Sequence, residues 1–123
     1  MDESGRLERV RALCLGLPEV EERLSHGEPT WFVRGKKSFV MFCDHHHGLR
    51  LGFWCAAAEG VQELRIAGDP DVFYRPPYVG PRGWLGVNLD AETMLDDAWD
   101  EVAGIIRDAY LQVAPKTLAA RLG

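Results

Sequence analysis

One stretch constrains the fold more than any other: TWFVRGKKSFVMFC, residues 30–43. Thr30–Arg34 and Ser38–Cys43 are rich in aromatic and β-branched residues, and Gly35-Lys36-Lys37 between them is a turn signal. That is the composition of two strands joined as a hairpin. Both runs are apolar on both faces, so helices are expected to cover much of the sheet they enter. Asp44–Gly48 reads as a second turn and Leu49–Cys55 as a third strand. On that strand Leu49, Leu51 and Phe53 share one face, and Arg50, Gly52 and Trp54 the other.

Helical spacing brackets these strands. Leu7, Val10, Leu13, Cys14 and Leu17 mark a first helix, with Asp2 or Ser4 as its N-cap and Gly16 and Pro18 at its close. EVEERLSHGEP lacks a period and carries Gly27 and Pro29, so it reads as a loop or a poor edge strand. AAAEGVQELRIAG reads as a short helix ending at Gly68, and Trp84–Leu89 as a further strand region. From Asp97 onward, Trp99, Val102, Ala103, Ile106, Ala109, Tyr110 and Val113 form an apolar stripe at helical spacing. Pro115 interrupts it and fits the first turn of a final helix, KTLAARL. The order α-β-β-β-α-β-β-α(-α) predicts an α+β fold with an antiparallel sheet, as one domain over residues 1–123.

Size supports that reading. A chain of 123 residues can bury roughly two-thirds of its unfolded surface without a disulfide or metal. Cys14, Cys43 and Cys55 are odd in number and form no CxxC pair. With no signal peptide in view, they read as buried thiols of a cytoplasmic protein. No apolar run approaches the roughly 20 residues of a membrane-spanning helix. The formal net charge is −5, unevenly spread: −3 over residues 1–30, +2 over 31–87 and −4 over 88–123. An acidic total argues against nucleic acid as a partner, whereas the mildly basic middle third leaves room for it.

Four patterns invite chemistry, and each has a plainer structural reading. In CDHHHG, residues 43–48, His45 and His47 could converge on a metal. A zinc site wants three or four ligands, however, and no second His/Cys cluster exists. Cys43 with His45 as its base would need an electropositive pocket, whereas Asp44 beside it raises a thiol pKa. Gly80, Gly83 and Gly86 suggest a phosphate cradle, but they lead into a strand rather than a helix N-terminus. Asp90, Glu92, Asp96, Asp97, Asp100 and Glu101 complement the dipole of the long helix that follows them. The sequence therefore predicts no catalytic residue, no metal site, no cofactor and no enzymatic activity.

The remaining signal is FYRPPYVGPRGWLGVNL, residues 73–89. Pro76-Pro77 fixes an extended approach, and Gly80 and Gly83 permit a sharp reversal. Tyr78 and Trp84 are expected to pack the segment onto the sheet, leaving Arg75 and Arg82 for a ligand. Together with GLPEVEERLSHGEPTWFVRGKKSFVMF and WDEVAGIIRDAYLQVAPKTLAARL, this segment resembles the MmcQ/YjbR family of small bacterial proteins. The shared parts are His26-Gly27 with Pro29, the aromatic-Gly-Lys hairpin, Pro76-Pro77-Tyr78 before Gly83-Trp84, and Tyr110 through Lys116. The resemblance implies an α+β fold similar to frataxin-like and secretion-chaperone-like domains. It also implies double-stranded DNA as a partner, held by two hairpin wings. Arg34, Lys36 and Lys37 would form the first wing, and Arg75 and Arg82 would belong to the second.

Three functional expectations follow. The first is a non-enzymatic DNA-binding domain whose wing cations contact phosphates. The second is a chaperone-like or protein-interaction module offering its aromatic sheet face to a protein partner. The third is a small-molecule binder whose pocket uses the family-motif residues His26, Tyr78 and Trp84, with Lys116 as a further motif candidate.

Overall fold

The computed structural model of the chain describes residues 2–44, 51–90 and 96–122. Among these residues, six antiparallel strands form one sheet accompanied by four α-helices, in the order α1 (Asp2–Leu15), β1 (Val20–Ser25), β2 (Glu28–Val33), β3 (Lys37–Cys43), β4 (Gly52–Cys55), α2 (Val61–Gly68), β5 (Phe73–Tyr74), β6 (Leu85–Asn88), α3 (Asp96–Val113) and α4 (Lys116–Ala119). The sheet order is β1-β2-β3-β4-β6-β5. The α+β class and the antiparallel pairing expected from sequence are those of the protein.

The sheet has one strand more than the clear strand signals suggest, because VEERLS does form β1. It pairs along the whole of β2, from Val20 opposite Val33 to Ser25 opposite Glu28. Charged residues fall on both of its faces, Glu22 on one and Glu21 and Arg23 on the other, which is why it carries little strand signal and suits an edge. The first helix spans Asp2–Leu15, so both cap candidates, Asp2 and Ser4, fall within its helical residues. The turn at 45–48, the histidines His45–His47, residues Leu49 and Arg50 of the third strand, and Glu92 lie outside the described residues.

A bulge sets which side chains face where. Trp31 opposes Val40 and Phe32 opposes Ser38, so Phe39 is the extra residue between them. A bulge turns two successive side chains to the same side. Phe39 and Val40 thus both join the helix-facing core, where the Phe39 ring meets Tyr110 edge-on at 5.6 Å. Trp31, Phe53, Cys55, Leu85, Val87 and Ile106 belong to the same buried cluster. On β1, Glu22 ties this face to α1: it accepts from Arg11 Nε at 2.7 Å and Nη2 at 2.9 Å, and from Trp31 Nε1 at 3.0 Å.

Cys14 and Cys55 are buried in this core, and Cys43 is buried as well. Burial pushes the Cys55 thiol up to about 12, and it raises Cys14 well above the ordinary range, with Cys55 adding to it. Such thiols stay protonated and unreactive. No helix among the described residues is long and apolar enough to cross a membrane.

Candidate functional site

Tyr110 of α3 packs on the Phe39 side of the sheet, and the candidate site lies on the opposite face. Strand alternation places Ser25, Glu28, Ser38, Met41, Cys43 and Trp54 there. All six line a single cavity of about 640 Å³, within the 300–1,000 Å³ range usual for small-molecule sites. The other wall is the segment between β5 and β6, which contributes Tyr78, Val79, Arg82 and Trp84. His26 closes one end from the turn between β1 and β2.

The roof is built by the proline–glycine punctuation seen in the sequence. Pro76 is buried after Tyr74, and a 3₁₀ turn spans Gly80–Arg82. The Val79 N–H donates to Pro77 O at 2.6 Å, closing a three-residue turn around Tyr78, whose φ is 61°. That is the rarer, strained form of such a turn for a residue with a side chain. Trp84 is 5% exposed and packs as expected, but Tyr78 is 73% exposed. The expectation that Tyr78 packs the segment down is therefore corrected. Its left-handed backbone carries the ring out to the cavity mouth, where it joins the lining without being buried.

Below the roof, a row of side chains crosses three strands. Trp54 lies opposite Gly86, which lies opposite Tyr74. The Tyr74 ring occupies the space above Gly86, since a Cβ there would sit 2.5 Å from the ring. Trp54 Nε1 donates to Tyr74 Oη at 3.0 Å. Burial raises the Tyr74 phenol above its usual range, against the opposing effect of the Trp54 hydrogen bond, so it stays neutral. Trp54 is thereby fixed as a wall of the cavity.

Glu28 is the charged residue that sequence reading missed. It is 8% exposed, faces the cavity, and its Oε2 accepts from the Asp44 N–H at 3.4 Å. Nothing in the sequence marks it, because the strand that places it starts at a two-residue turn, His26-Gly27. Both turn residues have positive φ, 54° and 82°, the geometry that matches hairpin twist. Phe42 is also among the lining residues.

The cavity therefore unites His26, Tyr78 and Trp84, the pocket expected from the motif, and adds Arg82 to them. Arg82 sits with its guanidinium 5.3 Å from the Trp84 ring centre. Arg75, exposed, runs its stem along Gly80. Lys116 opens α4 and is not among the lining residues.

The other wing residues lie beyond the far end of β2 from His26. The β2–β3 turn carries Arg34 at φ 53° and Gly35 at φ 67°. Arg34 Nε meets Glu19 Oε1 at 2.9 Å, and Arg121 reaches Glu19 Oε2 at 3.4 Å. Arg23 donates to Gly35 O at 3.1 Å and lies 3.9 Å from the centre of the Phe32 ring. The Glu21 carboxylate abuts Gly35 as well. Lys36 and Lys37 are exposed. The first wing is thus not a free-standing ribbon: β1 and β4 flank its strands, and acidic side chains stand beside its tip.

Among the described residues, no three His, Cys, Asp or Glu side chains gather as a metal site. No curated protein and no solved structure matches the chain. The sequence model of the YjbR family does, over residues 15–112. The chain belongs to the YjbR family.

Proposed function

For this member of the YjbR family, we propose a non-enzymatic binding protein that holds a small ligand between the outer face of its sheet and the 75–84 roof. One observation carries the reading. A cavity of about 640 Å³ has Trp54 and Trp84 as fixed walls, a strained Tyr78 at its mouth, and Glu28 and Arg82 as opposite charges in its lining. Apolar walls with a few placed polar groups are the ordinary make-up of a ligand site. The strain at Tyr78 also supports the reading, because folds tend to retain such backbone at functional positions.

A panel of metabolites tested by thermal shift checks this proposal. A ligand at 100 times its Kd adds about 2.7 kcal/mol to stability. The shift should disappear in Met41→Trp, which fills the cavity from β3. A shift that survives in a folded Met41→Trp protein places the ligand elsewhere.

Duplex DNA is a second reading, favoured by the cations gathered at the β2–β3 turn. Arg23, Arg34 and Arg121 join Lys36 and Lys37 there, against Glu19 and Glu21. Phosphate contacts of this kind weaken steeply with salt. The affinity for labelled duplex, read by anisotropy, should then fall at least tenfold between about 50 and 200 mM salt. Lys36→Glu/Lys37→Glu should abolish it, and unchanged affinity in that variant rules this reading out.

A further inference from the structure

β1 lies at one end of the sheet, and among the described residues no strand pairs with its outer edge. The strand at the opposite end, β5, is two residues long, whereas β1 is six. Glu19 and His26 bracket β1 at φ 56° and 54°, so the extended edge begins and ends sharply. An open edge of that length is a template for another strand.

The hydrogen-bond phase of the β1–β2 ladder fixes which backbone groups face outward. Ser25 and Glu28 close the two-residue turn, and the Arg34 N–H donates to Glu19 O at 2.8 Å. Odd-numbered residues of β1 therefore bond to β2, and Val20, Glu22 and Leu24 turn their N–H and C=O to the open edge. Side chains follow the same count. Val20, Glu22 and Leu24 lie on the Phe39 side of the sheet, Glu21 and Arg23 on the cavity side. Glu21 and Arg23 are exposed, and Leu24 is 74% exposed.

Two copies of this edge can pair about a two-fold axis normal to the sheet, which runs the strands antiparallel. Registers that bond through outward residues differ in which residue sits on the axis: Glu21, Glu22 or Arg23. With Glu21 on the axis, it opposes Glu21 of the second copy; with Arg23 there, two guanidinium groups meet. Like charges directly opposite are destabilising. With Glu22 on the axis, Glu21 meets Arg23 of the second copy, Arg23 meets its Glu21, and Leu24 meets its Val20. The two Glu22 carboxylates then face each other, but each already accepts from its own Arg11 through Nε and Nη2.

We propose that the chain pairs with a second copy of itself through β1, with Glu22 on the two-fold axis. The charges that deter other strands from this edge are self-complementary in that register. Exposed ion pairs add little affinity, so they set the register. Backbone hydrogen bonds and the Leu24–Val20 contacts hold the strands together. An interface built on one strand pair belongs with those below roughly 1,200 Å², which associate weakly. The pairing does not depend on the cavity being a ligand site.

Sedimentation equilibrium of the full chain over about 5 to 500 μM tests this, since association follows mass action. The average mass should rise from that of one chain toward that of two. Glu21→Arg and Arg23→Glu each set like charges opposite one another, and each should weaken self-association by about tenfold or more. Mixed one to one, the two variants should associate again, because each supplies the charges that the other lacks. Circular dichroism checks that both are folded. Should either fail to fold, Leu24→Lys at its exposed position decides instead, and an undiminished dimer there overturns the proposal. A wild-type chain that stays monomeric throughout also overturns it. So does a dimer that both charge variants retain, or one that their mixture fails to restore.

Discussion

Gln62 and Trp84 are joined by a hydrogen bond of 2.6 Å, from the buried side-chain amide of α2 to the Trp84 carbonyl. The same Nε2 also donates to Gly80 O at 3.0 Å. One side chain thus holds both ends of the 3₁₀ turn in the cavity roof. Replacing it with Leu leaves two carbonyls without that donor, at a cost of about 1–3 kcal/mol. Urea denaturation should show this loss, and hydrogen exchange should quicken at the amides of residues 79–84. Unchanged exchange there would mean that the prolines alone hold the roof.

Tyr78 and Trp84, six residues apart on the same roof, should respond oppositely to truncation. Trp84→Ala removes a buried indole and should cost about 3–5 kcal/mol. Tyr78→Gly removes an exposed ring and relieves a left-handed backbone, so stability should rise by up to about 1 kcal/mol. Ligand affinity should fall in both. A loss above about 1 kcal/mol in Tyr78→Gly would assign its ring a packing role instead.

The Tyr74 ring and Gly86 exclude a side chain from each other's space. Gly86→Ala should therefore destabilise by about 1–3 kcal/mol, the usual cost of overpacking. Tyr74→Ala in the same chain should recover part of that loss, making the pair non-additive in a double-mutant cycle. Additive costs would show that the introduced methyl strains β6 rather than the ring.

Acid should loosen the junction of α1 with the sheet. Hydrogen bonding from Arg11 holds the Glu22 carboxyl below its ordinary value, with Trp31 Nε1 adding to the effect and burial opposing it. A carboxyl lowered by folding stabilises the protein above its unfolded value of about 4.3. That contribution disappears as pH falls through the folded value. Between about pH 6 and pH 3, wild type should lose on the order of 1 kcal/mol more than Glu22→Gln, the group being a quarter exposed. Parallel stability curves for the two proteins would remove Glu22 from the acid response.

How much of this was legible beforehand follows from the kind of signal each part emits. The β2–β3 hairpin, α3 and the closing Pro115 are written in local composition and period, and the protein has them. β1 was only half legible, because a charged edge strand is defined by its partner rather than by its own residues. The gathering of His26, Tyr78 and Trp84 was visible as a motif, though not as a volume. Glu28 and Gln62 could not be found, since each depends on contacts 16 or more residues away in the chain. Tyr78 was misplaced because an aromatic beside prolines reads as packing, and a positive φ leaves no trace in composition.

The asymmetry of the sheet has an evolutionary consequence. Foldability is lodged on the helix-covered face, whereas the cavity is bounded by strand residues and one short cover. Exchanges at lining residues outside the shared motifs, such as Met41 and Arg82, can therefore alter recognition, while Gln62 and the buried indole keep the cover seated. Relatives of this chain need not share a ligand in order to share an architecture.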